Sequence, residues 1–289
     1  MPLIINADDF GLTKGVNDAV IELADLQALS STSVMVTMPF AEEAKQLAGR
    51  ANFSVGLHFN LTHGRPQSPK SQVASLLDAN GCFFVNSEFR KRLSAGKIKR
   101  TEIGVELAAQ YSCLSEILGE QPSHIDSHQN IHKAFSVART LRDFGANQFG
   151  IRVRMPARYM LHFDNGQPIV RSSFFRSLKK MMLRRATSEM YLHVISAYLR
   201  SQCSGPEGEL YSQSFQKLDL LHAIAQESVV ESYDSRIFEI ACHPAKDTDG
   251  LEASKLIEKR RLEYDVMRTG AFVANMQRIG LCSFSDLDS

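Results

Sequence analysis

Along the chain, short apolar runs alternate with stretches whose apolar positions recur at helical spacing. That alternation predicts strand-helix-strand units on a mainly parallel sheet. Leu3 to Asn6 is such a run, bounded by Asp8 and Asp9. Thr13 is placed to cap a helix carrying Val16, Val20, Leu23 and Ala28, and Ser33 to Thr37 returns to β-branched alternation. The same reading predicts helices over Ala41 to Ala48, Thr101 to Leu118, Lys133 to Phe144 and Leu251 to Met267. It predicts strands over Ser54 to Leu57, Ser123 to Ser127, Gly150 to Val153 and Arg236 to Cys242, with a last short one at Leu281 to Phe284.

Six or seven strands with intervening helices favour one α/β domain over residues 1–289, built either as a barrel or as a doubly wound sheet. The pattern does not choose between the two. From about 158 to 230 it changes to long helical stretches, Phe174 to Thr187 and Tyr191 to Leu199, which read as a helical insertion over the core.

Composition narrows the function. The 289 residues, 44% hydrophobic and 22% charged, can bury a core without disulfides. Thirty-three Lys and Arg against thirty-two Asp and Glu leave a net charge of +1, so no general field gathers nucleic acid or anionic lipid. A small neutral substrate fits better. The five scattered cysteines form no CxxC pair and read as reduced thiols, with Cys242 an inert one. With no signal-type leader and no apolar run of membrane length, the expectation is a cytoplasmic protein. The basic clusters Arg90 to Arg100 and Lys179 to Arg185 lack interleaved aromatics and read as solvated helix faces.

The chemistry gathers at strand ends. Asp8 and Asp9 follow the first strand, where α/β folds build their sites. His58 ends a later strand, and His124, Asp126 and His128 fall on one face of an extended segment, with Asn130 and His132 close behind. Burying several imidazoles with a carboxylate is costly without partners, so a metal site or a proton-transfer site is the economical reading. Such ligands, with no thiolate, suit a catalytic divalent ion that keeps a position open for water. His243 ends another strand, held away from helical geometry by Pro244. Asp126 is better placed than Glu239 to orient an imidazole, and Arg152 and Arg154, on one face of their strand, could pair with Asp8 or bind substrate hydroxyls.

Four ordered motifs carry a resemblance: Asn-Ala-Asp-Asp-Phe-Gly from Asn6, Gly-Leu-His from Gly56 with Leu61-Thr62, His-Ile-Asp-Ser-His from His124, and Cys-His-Pro-Ala from Cys242. The chain resembles the YdjC-like carbohydrate deacetylases, which include the chitooligosaccharide deacetylases. The resemblance implies a distorted (β/α) barrel of the glycoside hydrolase and deacetylase type and a metal-dependent hydrolase removing acetyl from N-acetylated sugars. It further implies that Asp9, His58 and His128 hold the ion, that Asp8 is the general base and that His243 is the acid. It implies magnesium, whereas two imidazoles and one carboxylate favour zinc or another transition metal. A small carbohydrate is the expected partner, with neither nucleic acid nor membrane, and a homo-oligomer such as a dimer is compatible with the sequence. The chain departs from the pattern at Asn130, where the family usually has histidine; this bears on outer hydrogen bonding or substrate choice. Two other readings compete: a sugar-binding protein that has lost activity, and a different metal-dependent amidohydrolase on a similar barrel.

Overall fold

Strand β1 (Leu3–Phe10) is buried along its whole length, because parallel neighbours flank it and both faces are covered. It runs past Asn6, where the apolar run stops, since Asp8 and Asp9 find charged partners inside the protein. The computed structural model describes residues 2–147, 151–164, 167–172, 183–211, 220–222, 235–252 and 256–287.

Helix α1 (Lys14–Asp25) is capped as expected, with Thr13 Oγ1 accepting the Val16 N–H, and it buries Val16, Ala19, Val20 and Leu23 against the sheet. Then come β2 (Ser31–Val34), three-ten turns over Ala41–Leu47, and β3 (Ser54–Phe59). Helices α2 (Asn86–Ser94) and α3 (Arg100–Leu118) precede β4 (His124–Ser127), and α4 (Phe135–Asn147) precedes β5 (Arg152–Val153). After β6 (Arg158–Asp164), β7 (Gln167–Ser172), α5 (Leu183–Arg200) and β8 (Glu209–Tyr211), the chain returns to the centre as β9 (Phe238–Cys242). It ends with α6 (Ile257–Met267) and α7 (Gly270–Ile279).

Among the described residues nine strands form one sheet in the order β5-β4-β3-β2-β1-β9-β8-β6-β7, eight of them parallel and β7 antiparallel on β6. The sheet is curled into a half-barrel. Laid flat, β5 and β9 would stand about 24 Å apart, five inter-strand spacings, yet Arg154 just beyond β5 bonds Glu239 on β9. A parallel bridge from Arg152 to Ser204 brings the segment leading into β8 against the outer edge of β5.

The sequence expectation fails in two places. Among the described residues of the segment at about 158–230, expected to be helical, β6, β7 and β8 extend the sheet and α5 is helical, while residues 165–166, 173–182, 212–219 and 223–230 lie outside the described set. Asn165-Gly166 between β-rich runs was the hairpin signal, and Asp164 pairs with Gln167 across it. The last expected strand reduces to one bridge from Leu281 to Leu3, because Ser283 and Asp286 form a capping box that turns Phe284–Asp286 into a three-ten turn. Among the described residues no helix is long and apolar enough to cross a membrane.

Candidate active site

At the carboxyl end of β1 the ladder to β2 is irregular between Ala7 and Phe10, and Asp9 has φ 70°. Left-handed backbone costs a non-glycine residue about 1–2 kcal/mol. Here it breaks the alternation of a regular strand, so that consecutive carboxylates, Asp8 and Asp9, both lie buried in one cluster.

Two imidazoles meet Asp9. His58 Nε2 lies 3.1 Å from Asp9 Oδ1, and His128 Nδ1 lies 2.9 Å from the same oxygen. The other nitrogen of His58, Nδ1, stands 2.6 Å from Asp126 Oδ1. Asp126 is itself fixed by Ser33 Oγ, which donates to it at 2.8 Å, and by Arg154 at 2.8 Å. A carboxylate on Nδ1 selects the tautomer whose Nε2 lone pair points at Asp9. A lone pair facing a carboxylate requires a cation between them. Without a metal that cation is a proton: burial opposes it, but Asp126, Asp9 and Asp8 prevail and raise His58 to about 10. Burial likewise works against the charge on Asp9, yet His128 and Arg260 hold its carboxyl well below the usual range.

The second half of the site is organised by Arg154. Its buried guanidinium grips Asp8 with two bonds of 2.9 and 2.7 Å and also bonds Glu239 at 2.7 Å. Despite burial, Arg154 holds Asp8 far below the ordinary carboxylate value. Glu239 goes the other way, burial pushing it up to about 7 in spite of Arg154. His243 Nε2 stands 3.6 Å from Asp8 Oδ2, with its ring a quarter exposed, while its main-chain N–H donates to Glu263 Oε2 at 2.6 Å.

Asp9, His58 and His128 can each offer one atom to a metal ion, the three atoms lying within 4.8 Å of one another. Charge supports the fit. Among the described residues Asp8, Asp9 and Asp126 face two guanidinium groups, Arg154 and Arg260, leaving one negative charge for a cation to balance and a second when Glu239 is ionised. Asp8, His58 and Asp126 form a second such group, but Arg154 already occupies both of its carboxylates.

The other sequence candidates lie outside this cluster. His124 stacks on Phe284 at 3.7 Å and pairs with Ser123; its ring fills the space above Gly56, where a Cβ would come within 2.3 Å. Burial lowers His124 and His132 to about 3, and His132 Nδ1 pairs with Ser127 Oγ. Asn130 is exposed with φ 56°, a left-handed conformation that asparagine adopts more readily than histidine. Arg152 turns away to the carbonyl of Leu287, so of the arginine pair only Arg154 enters the site. Sequence reading missed Arg260, which pairs with Asp9, and Glu263. Both sit with Tyr264 and Met267 on the buried stripe of α6, and a charge on such a stripe was the available signal.

Fold and site together define a curled, mostly parallel α/β half-barrel protein whose strand ends combine a donor set that could hold a cation with an arginine-held carboxylate and a nearby imidazole. The sequence profile of the YdjC-like proteins matches residues 2–278, and the chain belongs to that family. A chitooligosaccharide deacetylase from Serratia marcescens is 31% identical over 99% of this chain and 98% of its own length. One from Yersinia enterocolitica is 30% identical over 98% of each. The mouse carbohydrate deacetylase is 35% identical over 54% of this chain, which spans about half of that relative's length (50%). A solved structure from Enterococcus faecalis, of a protein provisionally named for cellobiose-phosphate cleavage, superposes with TM-score 0.70 at 26% identity, covering 98% of this chain and 96% of that one.

Proposed function

We propose that this protein is a metal-dependent carbohydrate N-deacetylase that releases acetate from an amino sugar or chitooligosaccharide-type substrate. The observation that carries the reading is the convergence of His58 Nε2 and His128 Nδ1 on Asp9 Oδ1, at 3.1 and 2.9 Å, with Asp8 adjacent in the chain. The names of the full-length bacterial relatives favour the same reaction. A divalent cation held by Asp9, His58 and His128 would polarise the acetyl carbonyl and acidify water. The imidazole-rich donor set favours zinc or another transition metal over magnesium.

The remaining chemistry belongs to the chain. Asp8, kept ionised and aimed by the Arg154 fork, accepts the proton of the attacking water. A carbon–oxygen bond forms at the acetyl carbon, and the amide carbon–nitrogen bond then breaks. His243 gives the departing amine its proton, its backbone fixed through Glu263. Arg154 also prevents Asp8 from swinging toward His58, and Asp126 keeps His58 in one tautomer.

The test is acetate release from N-acetylglucosamine oligomers by metal-stripped protein resupplied separately with magnesium, manganese, cobalt and zinc. Asp8→Asn should keep its ion and lose turnover. Absence of acetate with every ion would overturn the proposal, and loss of the ion from Asp8→Asn would show that the two aspartates exchange roles.

A further inference from the structure

His58 and His128 are not held alike. His58 is braced from behind by Asp126, whereas among the described residues His128 has Asp9 as its one hydrogen-bonding side-chain partner. The aim of the His128 ring therefore depends on its backbone, and that backbone is unusual. Gln129 (φ 52°, ψ 25°) and Asn130 (φ 56°, ψ 38°) are left-handed in succession. Glycine tolerates this conformation and asparagine visits it, but glutamine has no local compensation. Such a pair persists only where the surroundings over-determine it.

The surroundings do so from both sides. On the inner side Ser127 Oγ accepts the His132 N–H at 3.0 Å, and Ile131 and His132 are buried. On the outer side one nitrogen of Arg90, Nη2, donates to the carbonyls of both Gln129 and Asn130, each at 3.1 Å. The guanidinium is fixed in turn by Nε, which donates to Asn86 Oδ1 at 2.8 Å one turn back on α2. Helix α2 lies in the segment after β3, the strand that carries His58. Arg90 thus ties the segment following one imidazole donor to the turn that follows the other.

We infer that Arg90 is a positioning residue for His128: it clamps the Gln129–Asn130 turn and thereby presents the imidazole for cation binding. The inference rests on the metal-site reading given above. Electrostatics alone predicts the opposite effect, because removing a positive charge near a cation site should tighten binding. The sign of the change separates the two accounts.

Zinc titrated into metal-stripped protein provides the first readout, and amide exchange at His132 in the metal-free protein the second. Arg90 is exposed, so Arg90→Ala leaves the core intact. Arg90→Ala should weaken zinc binding roughly tenfold, the lower end of what loss of a supporting contact costs a ligand, and should accelerate exchange at His132. Gln129→Gly, which removes the steric penalty of the left-handed backbone, should restore most of the affinity in the Arg90→Ala background. Unchanged or tighter zinc binding by Arg90→Ala would overturn the inference while leaving the metal site standing, as would failure of Gln129→Gly to rescue it. If the unaltered protein binds no divalent ion, the metal-site reading falls and the assigned role of Arg90 falls with it; faster exchange in Arg90→Ala would then mark a structural clamp alone.

Discussion

Glu239→Gln probes the electrostatics of the site without touching a proposed ligand. The Glu239 carboxylate is fully buried on β9, with Oε1 accepting from Arg154 Nε at 2.7 Å and Oε2 unpartnered among the described residues. Burial is the main reason its pKa rises from 4.5 to about 7. An acid raised on folding contributes stability that is complete below 4.5 and is lost as pH rises through 7, because the folded protein keeps a proton that the unfolded chain has released. The whole shift corresponds to about 3 kcal/mol, of which about 1 kcal/mol is lost by pH 5 and about 2 kcal/mol by pH 6. Glutamine keeps the shape and the Oε1 acceptor but cannot ionise. In metal-stripped protein the variant should therefore exceed the parent by about 1 kcal/mol at pH 5 and about 3 kcal/mol at pH 8. In urea unfolding followed by circular dichroism, that final gap is a midpoint shift of roughly 1 M. A gap that stays constant with pH, or a parent more stable than the variant at pH 8, would refute the reasoning.

Three further outcomes are expected. Asp126→Asn removes the carboxylate on His58 Nδ1 and should weaken cation affinity by about 10- to 100-fold in calorimetric titration; unchanged affinity would remove Asp126 from its bracing role. Because His58 is raised to about 10 in the metal-free site, cation binding at pH 8 should expel roughly one proton. An indicator dye in weak buffer measures it, and no release would mean that Nε2 is not a ligand. His243→Ala should slow hydrolysis of an acetamide substrate by about 10²–10⁴ and of an acetyl ester far less, since an alkoxide needs less proton assistance than an amine. Equal losses on both would argue against His243 as the acid.

The residues legible in the sequence were those whose position at a strand end carries the information. Asp8, Asp9, His58, Asp126, His128 and His243 could each be placed by the end of an apolar run, and a curled parallel sheet brings such ends together. Alternation served less well at Arg152 and Arg154. Strand β5 is only two residues long, so Arg154 lies past its end and is free of the alternation that sends Arg152 outward to Leu287. The β6–β7 hairpin had a signal in Asn165-Gly166 that the reading of this segment as helical did not use.

What stayed hidden has a common physical cause. Ligand identity is local, whereas charge compensation comes from remote parts of the chain: Asp8 meets Arg154 across 146 positions and Asp9 meets Arg260 across 251. No periodicity of either segment encodes such a pairing. The need for it does follow from the sequence, because two adjacent buried carboxylates at a strand end cannot stay charged without partners. The productive question for each motif is therefore which distant cation repays its burial. At Asp8 the answer is Arg154, shared among three acids; at Asp9 Arg260 supplies only part of it. The remaining demand at Asp9 is met by the imidazoles of His58 and His128, with Asp126 behind His58, and under the proposed function these two rings and Asp9 would share a metal ion.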